Sequence, residues 1–180
     1  MTDALPRSEV LFIGGRSGVG KSTAAEALHE LLVAADVRHA VIEGDLLDLA
    51  HPAPHVEFPE AHLAERNLAA MSAAYRELGH HRLVYTNTVS VLEQDALAAA
   101  MGDDPVVTAV LLRAGDETTA DRLRRRSGGH LPEAQLAHST RTAWRLDAAA
   151  RDAVTRVDTD TLAPPEVAVR LASLTGWLDA

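Results

Sequence analysis

The sequence predicts an α/β fold: a five-stranded, mainly parallel sheet with helices on both faces and a small helical lid. Three observations carry this expectation. Apolar, β-branched runs alternate with helical patterns along the chain, a glycine-rich turn joins the first run to the first helix, and Ser127-Gly128-Gly129 makes a hinge-like break after an arginine-rich stretch. Parallel strands need a long return path, which a helix supplies, and helices on both faces then bury the sheet.

Taken in order, Val10 to Ile13 reads as a buried first strand, and the helical pattern after the turn runs from Lys21 to about Ala35. His39 to Glu43 reads as the second strand, with Gly44-Asp45 at its carboxyl end, the edge where open α/β sheets meet ligands. Pro52 to Pro59 holds three prolines and reads as a loop, and Pro59-Glu60 opens a helix that runs to Leu78 and stops at Gly79. Arg82 to Thr86 is the third strand, Val91 to Met101 a helix stopped by Gly102, and Val106 to Leu112 the fourth strand. Glu117 to about Arg126 reads as a helix, as does Pro132 to Ala153, which lacks glycine and internal proline. Arg156 to Asp158 completes the sheet, and Pro164 to Thr175 is a closing helix with Gly176 behind it. With no repeat or linker, the 180 residues read as one domain whose lid spans about residues 122–140.

Composition removes several function classes. A net charge of −9 opposes general binding to nucleic acid or anionic membrane, so neither is an expected partner. The chain has no bilayer-length apolar run and no leader pattern at Met1, which makes a cytoplasmic protein the expectation. Without cysteine, disulfides, thiolate metal sites and thiol nucleophiles are excluded, and the nine histidines show no metal-ligand spacing. Monomer and homodimer both stay open.

The most specific motif is Gly15-Arg16-Ser17-Gly18-Val19-Gly20-Lys21-Ser22, the pattern G-x-x-x-x-G-K-S placed between a strand and a helix. Its glycines let backbone amides turn toward phosphate oxygens, and the helix start adds a positive dipole end. Gly15, Ser17, Gly18, Val19, Gly20, Lys21, Ser22 and Thr23 are therefore the expected nucleotide-binding residues for ATP. Lys21 reaches the β and γ phosphates and Ser22 holds Mg²⁺. Of 17 lysines and arginines, Lys21 is the only lysine. A chain that otherwise uses arginine keeps a compact ammonium where a phosphate loop calls for one. Arg16 reads as pointing to solvent, without a role.

Motor and switch ATPases end a later strand with an aspartate that supports Mg²⁺. Here the third strand ends Tyr85-Thr86-Asn87-Thr88 and the fourth Leu112-Arg113, without a carboxylate. The short chain resembles instead the gluconate kinases, adenylylsulfate kinases and chloramphenicol phosphotransferases, within the nucleoside-monophosphate-kinase-like P-loop proteins. Glu43-Gly44-Asp45-Leu46-Leu47 resembles their acidic turn, and Asp121 to Pro132 resembles the lid segment of gluconate kinases. This resemblance implies that Asp45 faces an acceptor hydroxyl as its base, that Arg122 lies near the nucleotide and that Arg126 lies near its phosphates. The segment Asp48 to Pro54 departs from the gluconate kinase pattern, so the acceptor stays unidentified.

The expected activity is transfer of the ATP γ-phosphoryl group to a hydroxyl of a small metabolite or antibiotic, with Lys21, Asp45 and Arg126 as catalytic residues. A nucleoside or nucleotide kinase, and a nucleotide-binding regulatory module with little catalysis, are the alternatives. Asn87, Thr88, Arg66 and Asn67 stand at the expected acceptor edge, each equally suited to capping or solvent exposure. Asp158, Thr159 and Asp160 follow the last strand, where a turn is as good a reading as adenine contact. Glu43 and Asp48 read as solvated acids. Trp144 and Trp177 read as packing residues, with Trp144 near enough to the lid to cover a ligand.

Overall fold

The computed structural model describes residues 7–179. Its sheet has five strands, all parallel, in the order β2-β3-β1-β4-β5. These are β1 (Glu9–Gly14), β2 (Ala40–Glu43), β3 (Arg82–Thr86), β4 (Val106–Arg113) and β5 (Thr155–Asp158). β1 pairs on one side with β3, Val10 opposite Leu83, and on the other with β4, Val10 opposite Val107. Because β2 and β3 lie to one side of β1 and β4 and β5 to the other, the turn after β1 leaves the sheet where its connections change direction. Ligands of open α/β sheets collect at that place.

Side chains alternate across each strand, and the core divides accordingly. Leu11, Ile13, Val84, Val110, Leu112 and Val157 face α1 (Lys21–Ala34) and α7 (Pro164–Thr175). Val10, Phe12, Leu83, Tyr85, Ala109 and Leu111 face the opposite layer. There Leu68 of α3 (Leu63–Glu77), Val91 and Met101 of α4 (Ser90–Met101) and Leu146 of α6 (Glu133–Ala149) cover them. Trp177 closes the first layer, 2% exposed, and its indole N–H donates to Glu9 at 2.8 Å. That tryptophan packs as expected.

Two helix boundaries differ from the sequence expectation. Pro54–Glu57 forms a short helix, α2, and Pro59–Ala61 a single 3₁₀ turn. His62 then takes a left-handed conformation, and α3 starts at Leu63 rather than Pro59. Proline presets a first turn but does not propagate it. α6 ends at Ala149 because Ala150 is extended, ahead of the expected Ala153, and the Arg151 carbonyl accepts a turn bond from Val154. Between α5 (Asp116–Arg126) and α6, Gly128 and Gly129 both take positive φ, which fits the hinge-like break.

Candidate active site

Helix α1 begins at Lys21 without a side-chain cap, its N-cap being the left-handed Gly20, and no acidic residue stands in its first turn. The first amides of a helix have no intrahelical acceptor, so this terminus presents them to a ligand. Gly18 explains why glycine is needed in the loop. Its φ is +84°, and a Cβ there would sit 2.7 Å from Leu123 and 2.9 Å from Thr119.

A cleft of about 660 Å³ opens over the loop. It is lined by Ser17, Gly18, Val19, Gly20, Lys21, Ser22 and Thr23, together with Asp45, Arg122, Arg125 and Arg126. Of the residues expected to bind nucleotide, only Gly15 stands outside the lining. It sits behind the loop, where its N–H donates to Thr88 at 3.2 Å. Lys21 is 9% exposed. Its ammonium donates to the Gly15 carbonyl at 2.9 Å and stands 3.4 Å from the Thr88 hydroxyl and 4.0 Å from the Asp45 carboxylate. Burial lowers the Lys21 pKa, with Arg126 acting in the same sense, while the charges of Asp45 and Glu43 oppose the shift. Arg126 lines the same cleft as Lys21.

Asp45 lies in the 3₁₀ turn Gly44–Leu46 rather than at the start of a longer helix. Its carboxylate accepts from the Thr88 N–H at 3.2 Å, which ties the end of β2 to the loop after β3. Glu43 is not a solvated acid: it accepts from the Thr86 hydroxyl at 2.8 Å. β3 ends without its own carboxylate, yet its neighbour β2 brings two to the same edge. A search along one strand misses this, because the pairing of β2 with β3 is tertiary.

Arg122 is held firmly. It donates to the Val19 carbonyl at 2.8 Å, to the Thr159 hydroxyl at 2.9 Å and to the Thr159 carbonyl at 2.8 Å. Thr159, 3% exposed, lines the cleft and joins the loop after β5 to the phosphate loop. Its weight was not visible in sequence, where a threonine between two aspartates reads as a turn. Those aspartates take other partners: Asp158 accepts from Arg113 at 2.9 and 3.2 Å, and Asp160 accepts from the Gly115 N–H at 2.9 Å.

Arg16 also departs from expectation. It is 3% exposed, donates to the Ala114 carbonyl at 2.6 Å and pairs with Asp116. The guanidinium therefore braces the phosphate loop against the start of α5 instead of facing water. Asn87 accepts from the Val89 N–H at 2.8 Å in the turn that leads into α4, and Asn67 donates to the Leu47 carbonyl at 2.6 Å, so both hold backbone. Arg66 is exposed. Trp144 is not a packing residue: it is 76% exposed on α6, beside a second pocket, because Leu146 and Ser139 are the buried residues of that helix.

Fold and loop together define a P-loop nucleotide-binding protein of the kinase-like type. The chain belongs to the AAA domain family, whose model matches residues 11–134. No curated protein matches it in sequence. Among solved structures, a gluconokinase from Sinorhizobium meliloti 1021 superposes with a TM-score of 0.60 at 22% identity, covering 98% of this chain and 94% of that one. The Deinococcus radiodurans tunicamycin resistance protein gives 0.64 at 24%, covering 94% and 96%. Mycobacterium tuberculosis APS kinase, in complex with AMPPNP and APS, gives 0.57 at 22%, covering 94% and 98%. These likenesses establish the fold. Among the described residues no helix is long and apolar enough to cross a membrane, and no three His, Asp or Glu side chains are grouped to hold a metal ion.

Proposed function

We propose that the protein is a Mg²⁺-dependent kinase that transfers the ATP γ-phosphoryl group to a hydroxyl of a small molecule. The observation that carries the reading is the 4.0 Å approach of Lys21 to Asp45 on the wall of the nucleotide cleft, which puts a phosphate-binding cation beside a possible base. Loop amides and Lys21 position the triphosphate, and Arg122 holds the nucleotide side of the cleft. Ser22, exposed at the uncapped helix start, would hold Mg²⁺, whose charge offsets that of the phosphate oxygens. The donor set suits such an ion, which keeps most of its waters and needs few protein ligands.

Asp45 orients the acceptor hydroxyl and takes its proton as the new O–P bond forms and the bond to ADP breaks. Arg126, at the end of α5, offsets charge on the transferring group when the lid of about residues 122–140 closes over a single catalytic domain. Replacing Lys21 by Ala is expected to abolish acceptor-dependent ADP release while the fold survives. Turnover equal to that of the parent protein contradicts the scheme.

A further inference from the structure

Two carbonyls of the phosphate loop are held by side chains, and one hold comes from each end of the lid segment. Arg122, at its start on α5, takes the Val19 carbonyl at 2.8 Å, with the Thr159 hydroxyl donating to the same oxygen at 3.1 Å. Ser139, near its end on α6, donates to the Ser17 carbonyl at 3.0 Å. Ser139 is 1% exposed and, with Leu146, one of the two buried residues of that helix. A helical serine or threonine commonly returns its hydroxyl to a carbonyl one turn back, as Thr142 of α6 does to His138 at 3.0 Å. Ser139 instead reaches a residue 122 positions away in sequence. Beside it, Thr140 donates at 3.1 Å to Asp116, the carboxylate that pairs with Arg16. Adjacent side chains of α6 thus meet the loop directly and through its brace.

In a planar trans peptide the carbonyl and the following N–H point in opposite directions. A partner that fixes the carbonyl on one side therefore turns the next amide to the other. After Ser17 that amide belongs to Gly18, and after Val19 to Gly20. Neither N–H donates to a described backbone carbonyl, and both glycines line the nucleotide cleft. The amide between them, that of Val19, is taken up inside the loop by the Arg16 carbonyl at 3.3 Å. Gly18 and Gly20 take φ of +84° and +105°, where glycine pays no steric cost and where amides can gather around an anion.

We infer that Ser139 is a positioning residue for the phosphate loop: its hydroxyl fixes the Ser17–Gly18 peptide so that the Gly18 N–H faces the bound phosphates. Helix α6 thereby contributes to nucleotide affinity without touching the nucleotide. An amide already aimed at its acceptor needs no reordering when the ligand arrives, and that saving appears as tighter binding. The inference rests on nucleotide binding at this loop and is independent of the acceptor.

The test titrates the full chain with Mg²⁺ and a non-hydrolysable ATP analogue, by calorimetry and by NMR of the Gly18 amide, in the parent and three variants. Ser139→Ala removes the hydroxyl, and Ser139→Cys fills nearly the same space with a weak donor. Ser72→Ala is the control for loss of a buried serine hydroxyl: Ser72 is 3% exposed on α3, and its hydroxyl bonds no described residue. Ser139→Ala is expected to bind the analogue about threefold to tenfold more weakly than the parent, with Ser139→Cys weakened in the same sense. In both, the Gly18 amide resonance should move less on binding than it does in the parent. Ser72→Ala is expected to match the parent in affinity and in the Gly18 response. Parent-like affinity in both Ser139 variants overturns the inference, as does an unchanged Gly18 response, or an equal loss of affinity in Ser72→Ala. Failure of the parent to bind the analogue is a separate signal that overturns the nucleotide reading, and this inference with it.

Discussion

Lys21 shows how one residue joins two halves of a site. It is the single lysine of the chain, nearly buried, and it touches the Gly15 carbonyl and stands near Thr88 and Asp45. An ammonium there draws the end of β2 toward the phosphate loop. Gly44 is the residue that lets Asp45 come so close. A Cβ at this position would meet Tyr85 at 2.3 Å and the Thr86 carbonyl at 2.8 Å, so no side chain fits. Gly44→Ala is therefore expected to destabilise by about 1–3 kcal/mol through overpacking. It should also displace Asp45 and slow turnover, while nucleotide affinity holds because the phosphate loop is untouched. Thermal melts and nucleotide titrations on the variant check both halves. An unchanged melting temperature and unchanged turnover contradict the packing argument.

At the scale of elements, regular secondary structure was the legible part. β1 and β3 announce themselves as apolar runs, α1 by the turn that opens it, and α4 and α7 by the glycine behind each. Misplaced boundaries fall where prolines or alanines leave local preference nearly neutral: the start of α3 behind Pro59 and the end of α6 at Ala149. The phosphate loop was legible residue by residue because its chemistry is local, held within a strand-turn-helix unit. Arg16 was not. Its burial depends on Ala114 and Asp116, which sit at the end of β4 and the start of α5, about a hundred positions away in sequence. Glu43 and Thr159 were hidden for the same reason, since their partners come from a neighbouring strand or a distant helix. Contacts of this kind have no periodicity to read.

For the molecule as a whole, the strand order β2-β3-β1-β4-β5 brings the turn after β1, the acidic turn after β2 and the loop after β5 to one edge. Its stability carries a pH signature at β2. His39 lies 2.8 Å from His29 of α1 and 2.7 Å from the Val37 carbonyl, and burial lowers its pKa below 6.5. The folded state thus resists protonation more than the unfolded chain does. His39 stabilises fully above about pH 6.5, and the benefit is lost as pH falls through the lower folded value. The melting temperature should drop more steeply between about pH 7 and 5 than in His39→Gln. Parallel curves for the two proteins count against this linkage.

The central claim, phosphoryl transfer to a hydroxyl by residues gathered at this edge, meets its most direct test in ADP release. The full chain is supplied with ATP, Mg²⁺ and a library of hydroxylated small molecules, beside an Asp45→Asn control. The account predicts ADP release that depends on the acceptor, matched by a phosphorylated product and strongly reduced in the control. ATP binding without acceptor-dependent ADP across the library would contradict it.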